Sequence, residues 1–331
     1  MWTDLQGMVN SKVIVPVPPT ERGRGHYSSL FSVAKASGEA RTIINLKPLN
    51  AWVRYKRFQM ESIRSAVFLI DRDAVMCTLD LKKAYYQVPI HPSSQRLLRF
   101  AVSLPARTCH LQFQCLPFGL ASAPRILTKL VMEMVAYLRD QGIVIIPYLD
   151  YLLLVAKSEE ALIRDRNRAT TVMESLGWVI NWTKSDLRPE TKKVFLGVLL
   201  DSASRISRLP KRKQKTIQAR VGGLLEQQGS IREAMEVLGL MTACIPCVRW
   251  AQFHSRSLQR EILAKWDRRQ TSLDKPLWLP ERVKESLRWW TQPRNLQVGV
   301  LWITSPYVIV STDSSTWGWG AHIEGKIFQG R

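Results

Sequence analysis

Acidic residues are scarce in this sequence relative to basic ones. Among its 331 residues, 27 are Asp or Glu and 48 are Lys or Arg, which gives a formal net charge of +21 and a pI of about 10.1. An excess of this size points to a polyanionic partner, most simply a nucleic acid, with an anionic membrane surface as the alternative. Long apolar runs are missing too, because no stretch reaches the roughly 18 residues that a membrane-spanning helix needs.

Cysteines are also few. The five cysteines are odd in number and scattered, which excludes a disulfide framework and favours a reducing compartment. Cys244 and Cys247 form a lone Cys-x-x-Cys pair without the second pair that a structural zinc site needs, so we expect buried thiols there. The N-terminus has no basic region followed by an apolar core, so we expect an intracellular protein, cytoplasmic or nuclear, and not a secreted one.

Two apolar stretches are each interrupted by one acid. Residues 143–155 read as two short strands joined by a turn that places Asp150 at its tip. The alternative is an ordinary solvent-facing turn aspartate. In the β-rich stretch 74–90, Asp80 follows directly on apolar residues. Two carboxylates at the ends of neighbouring strands can hold two divalent cations for attack on phosphorus, and hard oxygen ligands suit magnesium.

Six motifs, taken in order, resemble those of reverse transcriptases. They are Arg41–Asn50 (RTIINLKPLN), Leu79–Tyr85 (LDLKKAY), Leu116–Pro124 (LPFGLASAP), Tyr148–Tyr151 (YLDY), Leu176–Lys184 (LGWVINWTK) and Phe195–Gly197 (FLG). A single motif would be weak evidence, but six in the right order at plausible spacing are specific. The resemblance extends over most of the chain. Among reverse transcriptases, the sequence most resembles those of the DIRS-type retrotransposons of vertebrate genomes, which carry a tyrosine recombinase.

The resemblance implies an α+β fold, the right-hand polymerase with fingers, palm and thumb. It divides the chain into an extended segment (1–27), fingers and palm (28–200), a helical thumb and connection (201–305) and the truncated start of a ribonuclease H-like domain (306–331). It implies RNA-directed DNA synthesis. The expected partners are an RNA or DNA template with its primer, deoxynucleoside triphosphates and other proteins encoded by the same element, with no membrane.

The resemblance also assigns the metal-binding residues. Two magnesium ions, or manganese in their place, are expected on Asp80, Asp150 and the backbone carbonyl of Leu81. The family has Tyr-x-Asp-Asp at the turn, whereas Tyr151 stands here in place of the second aspartate. A phenol is neutral at pH 7 and is a poor magnesium ligand. We therefore expect weak or absent polymerase activity, the alternatives being a catalytically dead protein that still binds nucleic acid or, less well supported, a purely structural basic protein.

Five further residues occupy nucleotide-handling positions of the family. Lys35 and Arg41 match the pair that holds the triphosphate, the alternative being a solvated basic hairpin. Tyr85 matches the aromatic residue that blocks a ribose 2′-hydroxyl, and Phe118 matches a contact to the incoming nucleotide; both have core packing as the alternative. Lys184 matches the lysine that protonates the leaving pyrophosphate.

Two features follow the last of these motifs. Between residues 202 and 225 the chain is strongly basic, which predicts phosphate contacts unless this is only a solvated helix face. The candidates are Arg205, Arg208, Lys211, Arg212, Lys213 and Lys215. Residues 307–323 resemble the first hairpin of ribonuclease H, with Asp313 as its first metal ligand. One acid does not make a two-metal nuclease, so we expect no ribonuclease H activity.

Overall fold

A computed structural model describes residues 2–34, 40–104, 107–227, 229–267, 270–302, 310–323 and 325–330 of the chain. The strands are β1 (Ile14–Pro16), β2 (Leu30–Ala34), β3 (Ala40–Ile44), β4 (Val75–Asp80), β5 (Arg99–Leu104), β6 (Arg107–Phe113), β7 (Val144–Tyr148), β8 (Tyr151–Ala156), β9 (Asp186–Glu190), β10 (Lys192–Phe195), β11 (Val198–Asp201), β12 (Ile206–Arg208), β13 (Val300–Leu301), β14 (Val310–Ser314), β15 (Trp319–Ile323) and β16 (Lys326–Gly330).

Helices separate these strands. They are α1 (Trp2–Asn10), α2 (Lys47–Asn50), α3 (Ile63–Phe68), α4 (Pro92–Gln95), α5 (Ala123–Asp140), α6 (Glu159–Ser175), α7 (Lys211–Glu226), α8 (Ile231–Ala243), α9 (Ala251–Lys265), α10 (Glu281–Thr291) and α11 (Pro293–Gln297), with 3-10 turns at Pro19–Glu21 and Ala84–Gln87. The chain forms two compact units, residues 1–300 and residues 301–331. Within the described residues, no helix combines the length and the apolar content that crossing a membrane requires.

The central sheet of the larger unit has the strand order β7–β8–β4–β9. The hairpin predicted over residues 143–155 is confirmed, since β7 and β8 pair antiparallel with Tyr148 opposite Tyr151. Leu79, Ile145 and Leu152, which lie on three neighbouring strands, are fully buried on one face of the sheet. Helices α5 and α6 cover this face, because α5 repeats apolar residues every three or four positions and so presents one apolar stripe. One face of the sheet is therefore closely packed against these two helices.

Local sequence signals fix the ends of several helices. Ser158 caps α6, its side chain accepting a hydrogen bond from the N–H of Ala161. Ser230 and Glu233 form the reciprocal capping box at the start of α8. The sequence alone indicates both caps, through a serine before each helix and, at Ser230, a glutamate three residues later, and both are confirmed. Helices α7–α11 then make up a helical region between the sheet β10–β11–β12 and residue 300.

The prediction that residues 1–27 are extended is wrong for the first part of this segment. Residues 2–10 form helix α1, which buries Leu5 and Met8 in the same core as β5 and β6. Asp4 ties the helix to β3, since its carboxylate accepts the backbone N–H of Thr42 at 2.9 Å. Tertiary packing of a short apolar face outweighs the extended character of the neighbouring proline-rich sequence.

The smaller unit is one antiparallel sheet with the order β14–β15–β16. The predicted hairpin corresponds to β14 and β15, in which Asp313 lies opposite Gly320. Strand β16, which the sequence did not predict, pairs along the other edge of β15. Residues 307–309, the first part of the predicted motif, lie outside the described residues.

Candidate active site

The fold brings Asp80 and Asp150 together. Asp80 ends β4, and Asp150 lies in the turn between β7 and β8. The backbone N–H of Leu81 donates to the carbonyl of Asp150 at 2.8 Å, which fixes the two acidic positions to each other. Burial raises the pKa of Asp150; a backbone hydrogen bond lowers it, and the charge of Asp80 raises it further. The two carboxylates therefore share one partly buried space.

This pair of carboxylates fits a divalent cation. Burial and the charge of Asp80 disfavour ionisation of Asp150, and a cation between the two carboxylates would remove that cost. Their oxygens are the hard ligands that magnesium prefers, and the backbone of Leu81 lies beside them. Across the described residues, no group of three or more His, Cys, Asp or Glu side chains is arranged to hold a metal. The site therefore offers two carboxylates, one fewer than the sequence motif of the family provides.

The turn that carries Asp150 is strained. Leu149 has φ +56, in the left-handed region that a bulky side chain seldom adopts. A conformation of this kind costs about 1–3 kcal/mol and persists only where the surrounding structure imposes it. Leu149 packs against the core of the central sheet, and the two flanking strands close the turn between Tyr148 and Tyr151. The packing and strand pairing that impose this conformation also hold Asp150 at the tip of the hairpin.

The side chain of Tyr151 contacts the neighbouring hairpin formed by β10 and β11. Its hydroxyl donates to the backbone carbonyl of Val194 at 3.2 Å, and its ring stacks on Phe195 with 5.6 Å between centroids and 17° between planes. Burial raises the pKa of its phenol, partly opposed by a hydrogen bond with Thr78. Tyr151 is thus neutral, and both its hydroxyl and its ring contact residues of β10. It nevertheless lies directly opposite Asp80 in the sheet. It joins two hairpins instead of supplying a metal ligand.

A loop after α6 holds Asp80 in place. The side-chain amide of Asn181 donates to Oδ1 of Asp80 at 3.0 Å, and its backbone N–H donates to the carbonyl of Asp80 at 2.7 Å. The hydroxyl of Ser185 accepts the N–H of Asp80 at 3.0 Å. Thr183 in turn donates to the side-chain oxygen of Asn181 at 2.8 Å. These bonds orient one carboxylate oxygen of Asp80 and leave the other for a ligand.

Sequence reasoning missed Asn181 and Ser185. Both lie in or next to the motif Leu176–Lys184, which was singled out for its lysine alone. The available signal was an asparagine three residues before that lysine. Nothing in the sequence showed that its amide reaches an acid 101 positions earlier in the chain.

Three predicted nucleotide-handling residues lie around the acid pair. The charge of Lys184 lowers the pKa of Asp150, so the exposed ammonium is within electrostatic reach of that carboxylate. Tyr85 is buried; desolvation raises the pKa of its phenol, and so do Asp150 and Tyr148. The ring of Phe118 meets Tyr85 edge to face at 4.9 Å and is 45% exposed. The space beside the carboxylates therefore has one aromatic wall and a cation nearby.

The other two predicted triphosphate ligands are described only in part. Lys35 lies outside the described residues. Arg41 lies on β3 opposite Val33, and the description covers its backbone. The hairpin β2–β3 expected for these residues is present on both sides of the gap.

The basic run after residue 202 divides between two elements. Arg205 and Arg208 flank or end β12, and a guanidinium nitrogen of Arg208 is 3.5 Å from the carbonyl of Gln297. The others lie in the first turns of α7. Exposed there are Lys211, Arg212, Lys213 and Lys215. The ammonium of Lys213 lies over Gly197, where a Cβ atom would collide with it.

Three remaining residues singled out from the sequence lie apart from the acid pair along the chain. Cys244 and Cys247 are buried thiols, as expected, and burial raises their pKa to about 11 and about 12. They are therefore protonated and inert at neutral pH. Asp313 lies in exposed strand β14 of the smaller unit.

Comparison with known proteins is consistent with this geometry. The sequence profile of the family described as reverse transcriptase (RNA-dependent DNA polymerase) matches residues 33–200. A genome polyprotein of Petunia vein clearing virus (isolate Shepherd) is 26% identical over 161 residues, 49% of this chain and 7% of that protein. The Gag-Pro-Pol polyprotein of Mason-Pfizer monkey virus is 28% identical over 152 residues, 44% of this chain and 8% of its own length. The chain thus spans under a tenth of these relatives.

Solved structures share the fold. A foamy viral protease-reverse transcriptase in complex with double-stranded DNA superposes with a TM-score of 0.72 at 15% identity, over 99% of this chain and 55% of that one. The foamy viral enzyme in complex with an RNA/DNA hybrid gives 0.69 at 15% identity, over 98% and 42%. The expected α+β fold of a right-hand polymerase is confirmed.

Proposed function

The chain belongs to the reverse transcriptase (RNA-dependent DNA polymerase) family, whose profile matches residues 33–200 of its 331, and we propose that it carries out RNA-directed DNA synthesis on Asp80 and Asp150. The observation that carries the proposal is the convergence of these carboxylates, fixed by the hydrogen bond from Leu81 to Asp150. In the proposed reaction, the primer 3′-oxygen bonds to the α-phosphorus of a deoxynucleotide. The bond from that phosphorus to the bridging oxygen breaks, and pyrophosphate leaves.

The chain's own residues have separate tasks in this proposal. Asp80, Asp150 and the carbonyl of Leu81 would hold two magnesium or manganese ions. When bound, such ions activate the attacking oxygen and neutralise charge on the transferring phosphate. Asn181 keeps Asp80 oriented, since its amide bonds one carboxylate oxygen. Lys184 gives its proton to the leaving pyrophosphate, a role that its electrostatic reach to Asp150 supports.

The incoming deoxynucleotide fits the aromatic wall beside the acids. Tyr85 would lie against the sugar and exclude a 2′-hydroxyl, because its buried ring is held edge-on by Phe118. The exposed part of Phe118 would meet the base. Lys35 and Arg41 remain proposed triphosphate ligands on the hairpin β2–β3. The exposed cations Lys211, Arg212, Lys213 and Lys215, together with Arg205 and Arg208, would contact phosphates of the duplex.

We infer that synthesis by this chain is slower than that of a site with three acids. Tyr151 gives its hydroxyl to Val194 and contributes no charge to the site. Stabilisation of transferring phosphate depends on the electrostatics of the whole site, and loss of a single preorganised group typically costs about 10²–10³-fold in rate. Restoring the acid should therefore raise the rate substantially.

Primer extension tests both parts of the proposal. Wild type, Asp80→Ala and Tyr151→Asp would extend a DNA primer on an RNA template in magnesium, with Asp140→Ala as a control for loss of an exposed carboxylate. We expect wild type and Asp140→Ala to extend above the Asp80→Ala background, and Tyr151→Asp to extend faster. Extension by wild type no better than by Asp80→Ala would refute polymerase activity. A wild type as fast as Tyr151→Asp would refute the impairment.

A second candidate function follows from the lost acid. A protein that binds primer and template without synthesis would keep the exposed cations of α7 while lacking the third carboxylate. Its signature is salt-sensitive binding of primer–template that survives Asp80→Ala, together with no extension by wild type or Tyr151→Asp. Loss of binding in Asp80→Ala would contradict it.

The proposal extends to the origin of the chain. We propose a retroelement of the DIRS type, with residues 28–200 as fingers and palm and 201–305 as thumb and connection. Residues 306–331 would begin a ribonuclease H-like domain, with Asp313 as its first acid and no nuclease activity from this acid alone. Other proteins of the element are proposed partners. Ribonuclease activity on an RNA/DNA hybrid by this chain would contradict the last assignment.

A further inference from the structure

Strand β10 carries a buried lysine, Lys193. It is only 3% exposed, although the ammonium group of a lysine is almost always left in water. The ammonium donates to the carboxylates of Asp186 at 2.9 Å and Glu190 at 2.8 Å, and to the carbonyl of Arg188 at 3.0 Å. All three acceptors lie on β9. One buried cation therefore binds three points on a single strand.

Strand β9 lies at the edge of the central sheet and pairs irregularly with β4. The register matches Met76 with Glu190 and Thr78 with Asp186, and it shifts between these two pairs. Pro189, which lies in this interval, has no N–H to give to a ladder of hydrogen bonds. Because the ladder is interrupted, side-chain contacts contribute more than usual to the position of β9.

Burial of the ammonium makes its contact with β9 selective for one geometry. An ammonium taken out of water is costly unless carboxylates and carbonyls replace its hydration. The cost of burying Lys193 is therefore offset only when all three acceptors reach it. Asp186 and Glu190 keep 40% and 45% of their side-chain surface exposed, so water would still solvate them without the lysine. The lysine, rather than either acid, thus fixes where β9 lies.

The start of β9 adjoins the residues that hold Asp80. Ser185 immediately precedes Asp186 in the chain. Its hydroxyl accepts the N–H of Asp80 at 3.0 Å and donates to the carbonyl of Asn181 at 2.9 Å. Asn181 in turn donates its side-chain amide to Oδ1 of Asp80. A displacement of β9 would therefore move Ser185 and disturb both bonds that orient Asp80.

Strand β10 also reaches the surroundings of Asp80 by a second route. Lys193 and Phe195 are two residues apart on this strand, so they lie on the same face of it, and both are buried. The ring of Phe195 stacks on Tyr151, which lies opposite Asp80 in the sheet. One face of β10 therefore contacts β9 through a cation and β8 through a ring.

We propose that Lys193 is a positioning residue for Asp80, acting through β9 and Ser185 to hold this carboxylate in the orientation that a metal ion needs. The inference rests on the proposed function, which assigns Asp80 to a metal. It adds a residue that lies outside the six sequence motifs. The alternative is a lysine that serves only the general stability of the fold.

Hydrogen exchange of the metal-free protein in EDTA tests this link without any catalysis. Lys193→Met and Glu190→Gln each break the contact between β10 and β9. In both variants the amides of Asp80 and Asn181 should exchange about 10-fold faster, as expected for the loss of a hydrogen bond between charged groups, while amides of β7 and β8 should stay within about twofold of wild type. Lys192→Met is the matched control, because this neighbouring lysine is 62% exposed, and it should leave both amides unchanged.

Magnesium affinity, measured by titration calorimetry, separates positioning from charge. Lys193→Met removes a cation and Glu190→Gln removes an anion, so a purely electrostatic effect on a divalent cation would strengthen binding in the first variant and weaken it in the second. Positioning predicts weaker binding in both, by about threefold to tenfold, below the roughly 10–100-fold typical of residues that bond a metal ligand directly. Lys192→Met also removes a cation and should not weaken binding. Stronger or unchanged binding by Lys193→Met would refute the positioning role.

The outcomes distinguish this inference from the proposed function. If wild type binds no magnesium, the proposed function loses its metal site, and hydrogen exchange still decides whether Lys193 holds Asp80. If exchange rises alike throughout the central sheet, or stays unchanged at Asp80, the lysine serves only general stability and the inference is wrong. If Lys193→Met does not fold, Glu190→Gln decides, because it alters a half-exposed side chain and leaves the lysine with its other two acceptors.

Discussion

Exchanging Tyr151 for aspartate would change the stability of the protein as well as its chemistry. The side chain joins the hairpin β7–β8 to the hairpin β10–β11 through its ring on Phe195 and its hydroxyl on the carbonyl of Val194. Tyr151→Asp removes both contacts. It also places a carboxylate directly opposite Asp80 in the sheet. Without metal, all three changes destabilise the folded state.

The magnitude can be built from these contacts. The stacked aromatic pair contributes about 0.5–1.5 kcal/mol beyond burial, the hydrogen bond about 1 kcal/mol, and like charges on opposed strands cost about 0.2–1 kcal/mol. We therefore expect Tyr151→Asp to lower the free energy of unfolding by about 2–3 kcal/mol. Tyr151→Phe keeps the ring and loses only the hydroxyl, so its loss should be near 1 kcal/mol.

Urea denaturation with EDTA and with magnesium measures these terms. In the proposed site magnesium would bind the folded protein and not the unfolded chain, so it should recover part of the stability of Tyr151→Asp, whose third carboxylate would attract the cation. It should recover nothing of the loss in Tyr151→Phe beyond what wild type gains. If Tyr151→Asp proves as stable as wild type in EDTA, Tyr151 does not join the two hairpins and the reasoning fails.

Three other changes have defined outcomes. Asn181→Ala frees one oxygen of Asp80, so magnesium affinity measured by titration calorimetry should fall about 10–100-fold, as is usual for residues behind a metal ligand; unchanged affinity would refute the positioning role. Burial raises the pKa of Asp150, so its ionised form destabilises the metal-free fold. Asp150→Asn should thus be more stable than wild type in EDTA at pH 7, and the difference should vanish as pH falls through the raised pKa towards the ordinary value near 4; a pH-independent difference would contradict this. Gly197→Ala and Gly142→Ala both place a side chain at positive φ, so each should lower the free energy of unfolding in urea by about 1 kcal/mol. Only the new methyl group at position 197 would displace the ammonium of Lys213 on α7. Only Gly197→Ala should therefore weaken duplex binding.

The sequence predicted well those features that depend on local pattern. The hairpin that carries Asp150 was legible because its apolar strands are short and its turn is bounded by tyrosines. The cap at Ser158 and the capping box at Ser230 follow from side chains that bond to their own helix. In each case the interaction spans only a few residues of chain. The six ordered motifs then implied the fold, which local pattern by itself does not determine.

What the sequence could not predict depends on contacts between distant segments. Helix α1 was missed because its stability comes from burying Leu5 and Met8, not from propensity. The contact between Tyr151 and β10 was missed, because the sequence shows only that a tyrosine replaces the second aspartate of the motif. It does not show which residues the tyrosine side chain contacts. The position of the Lys213 ammonium over Gly197 likewise depends on a contact that α7 makes only in the folded chain.

The turn between β10 and β11 connects these observations. Leu196 and Gly197 both have positive φ, which closes a two-residue hairpin of the type that fits the twist of the flanking strands. The hairpin β7–β8 contacts this turn through Tyr151, and α7 contacts it through Lys213. Because one small hairpin is contacted from both sides, a change at Tyr151 should alter duplex affinity as well as the rate of the chemical step. Single-turnover rates at saturating primer–template, measured beside the equilibrium Kd, separate the two effects, and a Tyr151→Asp variant with altered rate and unaltered Kd would show that the hairpin does not transmit the change.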